Sequence, residues 1–104
     1  MDQENSSEQE NLDLTTKLNR ETAKIAWTEL QRFYASGSVI AVASGIDLIQ
    51  VAKLISEDNA QAVEQWLADG KIYRVDDSQA AKWLEDDLVM WAVVVAPWVL
   101  VQEI

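Results

Sequence analysis

The stretch Leu88–Val101, LVMWAVVVAPWVLV, decides how this chain folds, because it is fourteen residues long and carries no charge. Valine, tryptophan and leucine dominate it, which predicts a β-strand buried on both faces. The run is too short to cross a membrane as a helix. Pro97 has no amide hydrogen to give to a sheet, so we expect the strand to bend, bulge or lie at an edge there. We therefore predict a sheet with Leu88–Ala96 as its spine and Trp98–Gln102 as the continuation, either central in the sheet or at the edge of a dimer.

Length and composition restrict the chain to one domain with limited chemistry. It has 104 residues, a formal net charge of −10, and neither cysteine nor histidine. Disulfides, thiolate metal sites and histidine bases are therefore excluded. Residues 1–13 carry five acids and no base, so we predict a disordered acidic tail there and a single α+β domain over 14–104. An acidic N-terminus without an apolar core is not a secretory signal, so we expect a cytoplasmic protein.

The remaining patterns predict four helices and two further strands. The first helix begins at Thr15 or Thr16 and runs to about Ala35, with apolar residues at helical spacing. Asp47 is a good N-cap residue for a later helix, and Asp76-Asp77-Ser78 is a good N-terminal signal for the last one. Short strands are expected at 39–43 and 71–75. The predicted fold is thus α+β, four helices with a three-stranded sheet in the order α-β-α-α-β-α-β, with a winged-helix-like arrangement favoured.

Two adjacent predicted helices and a strand resemble the DNA-binding domains of the MerR and excisionase type. The resemblance lies in Val51–Ile55, Val63–Leu67 and the corner Asp69–Ile72. The would-be recognition helix, however, carries Glu64 and Asp69 and no arginine or lysine to meet phosphate or guanine. The charge therefore argues against nucleic acid as a partner.

A candidate interface combines a basic strip with tryptophans. Lys17, Arg20 and Lys24 recur on the polar side of the predicted first helix, either as a docking face for an acidic partner or as a solvated face. The five tryptophans of the chain either fill the core or meet a partner. A small sheet that is apolar on both faces favours cover by a protein partner or by a second copy, with a homodimer as one form. The candidate interface residues are Lys17, Arg20, Lys24, Trp27, Trp91 and Trp98.

No constellation in the sequence points to catalysis. The pairs Glu57-Asp58, Asp76-Asp77 and Asp86-Asp87 fall at predicted turns, where aspartate is a usual cap, and no calcium-loop motif is present. The three glycines form no phosphate-binding loop, and no serine lies in a nucleophile elbow. We therefore expect no metal, no cofactor and no enzymatic activity.

Taken together, several stretches over residues 14–103 carry a family resemblance. They are Lys17–Asn19, Glu21–Ile25 with Trp27, Leu48–Ala52, Val63–Leu67 with Gly70-Lys71, and most specifically Trp91–Gln102. In these stretches the chain resembles the domain of unknown function 2288 family of small bacterial proteins. The resemblance implies a bacterial, cytoplasmic protein and brings no catalytic or binding residues with it.

The sequence therefore leads to two hypotheses of function. The first is a small non-enzymatic protein-interaction domain, adaptor or regulatory, whose interface combines the last strand, exposed tryptophans and the basic strip. The alternative is a winged-helix-like regulator that binds nucleic acid.

Overall fold

The computed structural model describes residues 14–104, over which the chain forms five helices and five strands. The predicted acidic tail over 1–13 lies outside the described residues. In chain order the elements are α1 (14–21), β1 (Ala23–Ala26), α2 (Trp27–Ala35), β2 (Val39–Val42), α3 (Leu48–Ser56), α4 (Ala60–Ala68), β3 (Ile72–Arg74), α5 (Asp77–Glu85), β4 (Val89–Val95) and β5 (Trp98–Glu103).

The strands form one mixed sheet in the order β1-β4-β5-β2-β3. β4 pairs antiparallel with both β1 and β5, β5 pairs parallel with β2, and β2 pairs antiparallel with β3. The turn between β4 and β5 consists of Ala96 and Pro97, which are joined by a cis peptide bond. The β4–β5 register places Val95 opposite Trp98 and Trp91 opposite Gln102. The most apolar part of the sequence therefore forms a β-hairpin, and both of its strands lie inside the sheet.

One face of the sheet is covered by α2 and α5. Trp27 of α2 and Trp83 of α5 meet edge to face, with ring centroids 5.0 Å apart, and the Trp27 ring also lies 5.7 Å from that of Tyr34. These aromatic contacts fill the space between the two helices and the strands. We call this side the closed face, and its buried residues are Trp27, Leu30, Val39, Ala41, Val75, Ala80, Trp83, Met90, Ala92, Val99 and Val101.

The opposite face is contacted by α1, α3 and α4. α3 lies over the central strands and buries Leu48, Val51 and Ala52. α4 lies beside α3 and β3, and none of its residues is buried. We call this side the open face, and its buried residues are Leu18, Ile40, Val42, Leu48, Val51, Ala52, Ile72, Val93, Val95 and Leu100.

The α+β class is confirmed, but the predicted four helices and three strands are wrong, and so is the winged-helix-like arrangement. The predicted first helix is two helices, α1 and α2, separated by the strand β1. α1 ends where the Thr22 amide and hydroxyl both donate to the Leu18 carbonyl, at 3.0 and 2.6 Å. β1 then pairs with β4, and the Trp27 amide donates to the Leu88 carbonyl at 2.8 Å. Strand pairing thus overrides a helical spacing of apolar residues that continues through the segment.

The last apolar run also differs from its prediction. It is two strands folded back on one another, because Ala96 and Pro97 take the two turn positions where no ladder donor is needed. Both strands are interior, since β4 lies between β1 and β5, and β5 lies between β4 and β2. The central placement is confirmed, and the alternative of a dimer edge along the last strand is wrong.

The later helices begin at the predicted caps. The Asp47 carboxylate accepts from the amides of Ile49 and Gln50 at 3.0 and 3.3 Å, and Asp76 accepts from the Gln79 amide at 2.8 Å. Such caps satisfy amides that the first turn of a helix leaves unpaired. Within residues 14–104, no helix has the length and apolar content needed to cross a membrane.

Candidate functional site

A cleft of about 360 Å³ opens on the open face, between α4 and the tip of the β4–β5 hairpin. This volume lies within the usual range for a binding pocket. Nine of its thirteen lining residues are apolar, and they come from the sheet, from the end of α3 and from α4. We call it the α4 cleft, and it is lined by Ile40, Ile55, Asp58, Asn59, Ala60, Val63, Glu64, Leu67, Ile72, Arg74, Ala96, Pro97 and Trp98.

The floor of the α4 cleft is built by strand register. Ile40 of β2 lies opposite Arg74 of β3, so their side chains project from the same face of the sheet. The Arg74 guanidinium lies over the Trp98 ring, 5.3 Å from its centroid, and Arg74 Nη1 donates to the Gly37 carbonyl at 3.4 Å. A cation–π contact of this kind attracts the guanidinium to the half-buried aromatic ring.

The outer wall of the α4 cleft is α4 itself. Val63 and Trp66 are half-buried, and Leu67 is 46% exposed. A short amphipathic helix normally buries its apolar side chains in the core, but here Val63 and Trp66 pack against the open-face core while only partly buried, and Leu67 stays exposed. Two of the three, Val63 and Leu67, line that cleft.

The rim of the α4 cleft is acidic. Asp58 follows α3 with a φ of 59°, and Glu64 is an exposed residue of α4. The Asn59 side chain caps α4, because its Oδ1 accepts a hydrogen bond from the Ala62 amide at 3.2 Å. The lining therefore combines two carboxylates with the guanidinium of Arg74.

The residues predicted for an interface are dispersed. Lys17 and Arg20 are exposed on α1, and Lys24 is exposed on β1 rather than on a helix. Lys24 Nζ lies 5.2 Å from the centre of the Trp91 ring, so the structure brings these two together. Trp27 is 1% exposed and belongs to the closed-face core, so it takes no part in a surface.

Trp91 and Trp98 lie on the same face of the sheet, although they are seven positions apart, an odd number that would put them on opposite faces of one regular strand. The hairpin turn achieves this, since Trp98 lies opposite Val95, and Trp91 is four residues before Val95 on β4. Four residues of strand span about 13 Å, so the two tryptophans mark separate ends of the open face. Only Trp98 lines the α4 cleft.

Sequence reasoning missed most of this site. The sequence patterns do not single out Arg74 or Leu67 as site residues. One signal was visible, namely a helix carrying Val63, Trp66 and Leu67 with acids as its only charged residues. The contact between Arg74 and Trp98 depends on β2 lying between β3 and β5, which no local pattern reveals.

Outside the cleft, the pKa of one side chain, Tyr34, is shifted. The Tyr34 hydroxyl donates to the Asp77 carboxylate, and this bond raises the pKa of Tyr34 above its ordinary value. Partial desolvation and the negative charges of Asp77 and Asp76 act in the same direction. The arrangement joins α2 to α5 beside the closed face.

Across residues 14–104, no cluster of three or more acids has the geometry to hold a metal ion.

With this geometry in place, comparison with known proteins gives the family. Residues 13–103 match the model of the family described as protein of unknown function DUF2288, and the chain belongs to that family. The fold is similar to the NMR solution structure of PA1075 from Pseudomonas aeruginosa. That comparison has a TM-score of 0.76 and 44% sequence identity, and covers 88% of this chain and 84% of the other. No curated protein matches the chain.

Proposed function

We propose that this protein is a bacterial, cytoplasmic, non-enzymatic interaction domain, with an adaptor or regulatory role, that binds a protein partner in the α4 cleft. One observation carries the proposal: α4 buries none of its residues and leaves Leu67 46% exposed beside the half-buried Trp98. Val63 and Trp66 of this helix pack against the open-face core but stay partly exposed, so cover from a partner would add to the burial of its apolar side chains.

The residue types in the α4 cleft support a protein partner. Tryptophan and arginine are the types that most often dominate the free energy of protein association. Here Trp98 and Arg74 already lie against one another, so a partner would meet a preformed surface and would not have to order two free side chains. The apolar floor and the charged rim match the usual anatomy of an interface, in which polar groups surround an apolar centre.

Nucleic acid receives no comparable support. α4 carries Glu64 as its single charged residue, followed by Asp69 at its C-cap. A phosphate backbone would be repelled by these acids. Arg74 is also the only one of the thirteen lining residues that carries a positive charge with which to contact phosphate.

The proposal is tested by capture with two matched leucine variants. The tagged full-length protein is incubated with nuclease-treated bacterial lysate, and the bound proteins are quantified by mass spectrometry. Leu67→Glu puts a charge at the cleft, and Leu84→Glu puts the same charge on α5, where the leucine is 43% exposed. We expect Leu67→Glu to reduce recovery of the partner by about tenfold or more, and Leu84→Glu to leave it unchanged.

Two results would contradict the proposal. One is equal recovery of the same proteins by the wild type and by Leu67→Glu, with circular dichroism showing that both are folded. The other is loss of the partner in Leu84→Glu alone, which would move the interface to the helix on the closed face.

A further inference from the structure

The charge around the α4 cleft is one-sided. Residues 47–69, which contain α3 and α4, carry five acids and one base, Lys53, for a net charge of −4. Two of these acids, Asp58 and Glu64, line the cleft itself. Two bases, Lys71 and Arg74, follow this segment, and Arg74 also lines the cleft. The cleft is therefore mainly apolar, and acids outnumber bases in and around it.

The one cation of the lining, Arg74, has two contacts that hold it in place. Arg74 is held against the Trp98 ring and donates to the Gly37 carbonyl, a backbone atom outside the cleft lining. These contacts fix the position of the guanidinium but leave its charge in place, and Arg74 is an exposed residue. The lining therefore keeps two negative charges against one positive charge, a net charge of −1.

We propose that the α4 cleft binds a basic amphipathic segment of a partner protein. The apolar side chains of the segment enter between Leu67 and Trp98, and its lysine or arginine side chains face Asp58 and Glu64. This inference rests on the proposed function and adds the chemistry of the partner. Charge complementarity is its main argument, because opposite potentials speed association and exclude wrong partners.

A second copy of the chain is a weaker fit to the same cleft. Each copy has a formal net charge of −10, so two copies repel one another at long range. The strand edge that an earlier expectation assigned to a dimer lies inside the sheet. A basic partner meets an attractive potential at the same place.

The inference is tested with two model peptides and the full-length protein. Both peptides are fluorescein-labelled and ~14 residues long, about four helical turns, with leucine at helical spacing; the remaining positions are lysine in one and glutamate in the other. Binding is followed by fluorescence anisotropy. We expect the lysine peptide to bind, its affinity to fall as salt is raised, and the glutamate peptide not to bind.

Two charge reversals separate the cleft from the general field of an acidic protein. Glu64→Lys lies at the cleft, and Glu85→Lys makes the same change in net charge at the end of α5, on the closed-face side. We expect Glu64→Lys to weaken binding of the lysine peptide by about tenfold, and Glu85→Lys by less than about twofold. Leu67→Glu, which leaves the rim carboxylates in place, should also weaken binding, because the apolar contact is lost.

Each contrary result has a definite meaning. If Glu85→Lys weakens binding as much as Glu64→Lys, only the net charge attracts the peptide and the inference is wrong. If neither peptide binds, or the glutamate peptide binds better, the partner is not basic. The inference then fails, while Leu67-dependent capture of a partner would leave the proposed function intact. Sedimentation showing a wild-type dimer that Leu67→Glu separates would assign the cleft to a second copy and overturn the inference.

Discussion

The two faces of the sheet differ in how completely they bury their tryptophans. On the closed face, Trp27 and Trp83 are 1% and 3% exposed. On the open face, Trp66, Trp91 and Trp98 are all only half-buried, although they touch the open-face core. Both faces have an apolar core of similar size, so the difference does not come from the strands. It comes from the helices that cover them.

The closed face is covered by two helices that each contribute a fully buried tryptophan. The open face has three helices, yet α4 contributes no buried residue. Exposed apolar side chains remain on both sides of the sheet, since Leu84 of α5 is 43% exposed and Val94 of β4, on the same face as Met90 and Ala92, is 57% exposed. The open face differs because its exposed Leu67 and half-buried Trp98 line a cleft that a partner can enter.

The largest expected effect concerns how much a tryptophan on each face contributes to the free energy of unfolding. Trp83→Ala removes a buried side chain and its edge-to-face contact with Trp27, so we expect it to lower the free energy of unfolding by about 3–5 kcal/mol. Trp98→Ala removes a half-buried ring at the rim of the sheet, and we expect a loss of about 1 kcal/mol. Urea unfolding followed by circular dichroism measures both.

A loss that large could leave Trp83→Ala unfolded. Trp83→Phe keeps the aromatic contact and makes a smaller cavity, so it serves as the folded comparison. The contrast between the faces breaks down if Trp98→Ala costs as much as the Trp83 variants. The ring at the cleft would then be part of the core and not available to a partner.

A smaller effect on stability is expected when the N-cap of one helix on each face is removed. Asp76→Ala removes the cap of α5, which buries Ala80 and Trp83, so we expect the free energy of unfolding to fall by about 1 kcal/mol. Asn59→Ala removes the cap of α4, which has only partly buried and exposed residues. We expect that loss to appear as faster amide hydrogen exchange within α4, with global stability nearly unchanged.

Equal global destabilisation by the two cap variants would be the contrary outcome. It would mean that α4 unfolds only with the whole domain. The open face would then be as firmly packed as the closed one, and the argument for a partner at α4 would lose its basis.

The same contrast explains what the sequence predicts well and what it does not. The sequence predicts the starts of α3 and α5 correctly because they depend on local chemistry. The carboxylates of Asp47 and Asp76 accept hydrogen bonds from backbone amides two or three residues further along the chain. β1 was missed because only its pairing with β4, over sixty residues later, distinguishes it from a continuing helix. The hairpin of β4 and β5 was read as one strand because valine-rich sequence fits either arrangement.

The candidate site was less predictable than the fold, for the same reason. Glu64 and Leu67 could be assigned to a helix from the sequence, but not to a cleft. Their exposure follows from the position of α4 beside α3 and the edge strand β3, which is a matter of tertiary packing. Lys24 and Trp91 were both selected, and the structure brings them together across a strand pair and not along a helix.

The smallest expected effect concerns pH and the helix pair of the closed face. The hydrogen bond from Tyr34 to Asp77 raises the pKa of Tyr34 in the folded protein, so the folded state favours the neutral phenol. Its contribution to stability is therefore fully present below the unfolded pKa of about 10 and is lost as pH rises through the folded pKa. We expect the difference in urea midpoint between the wild type and Tyr34→Phe to be constant near neutral pH and to shrink in alkali. An ultraviolet titration should show the late-ionising phenol in the wild type alone. A midpoint difference that stays constant through the alkaline range would show that Tyr34 joins the two helices by packing, and that the closed face is held without this hydrogen bond.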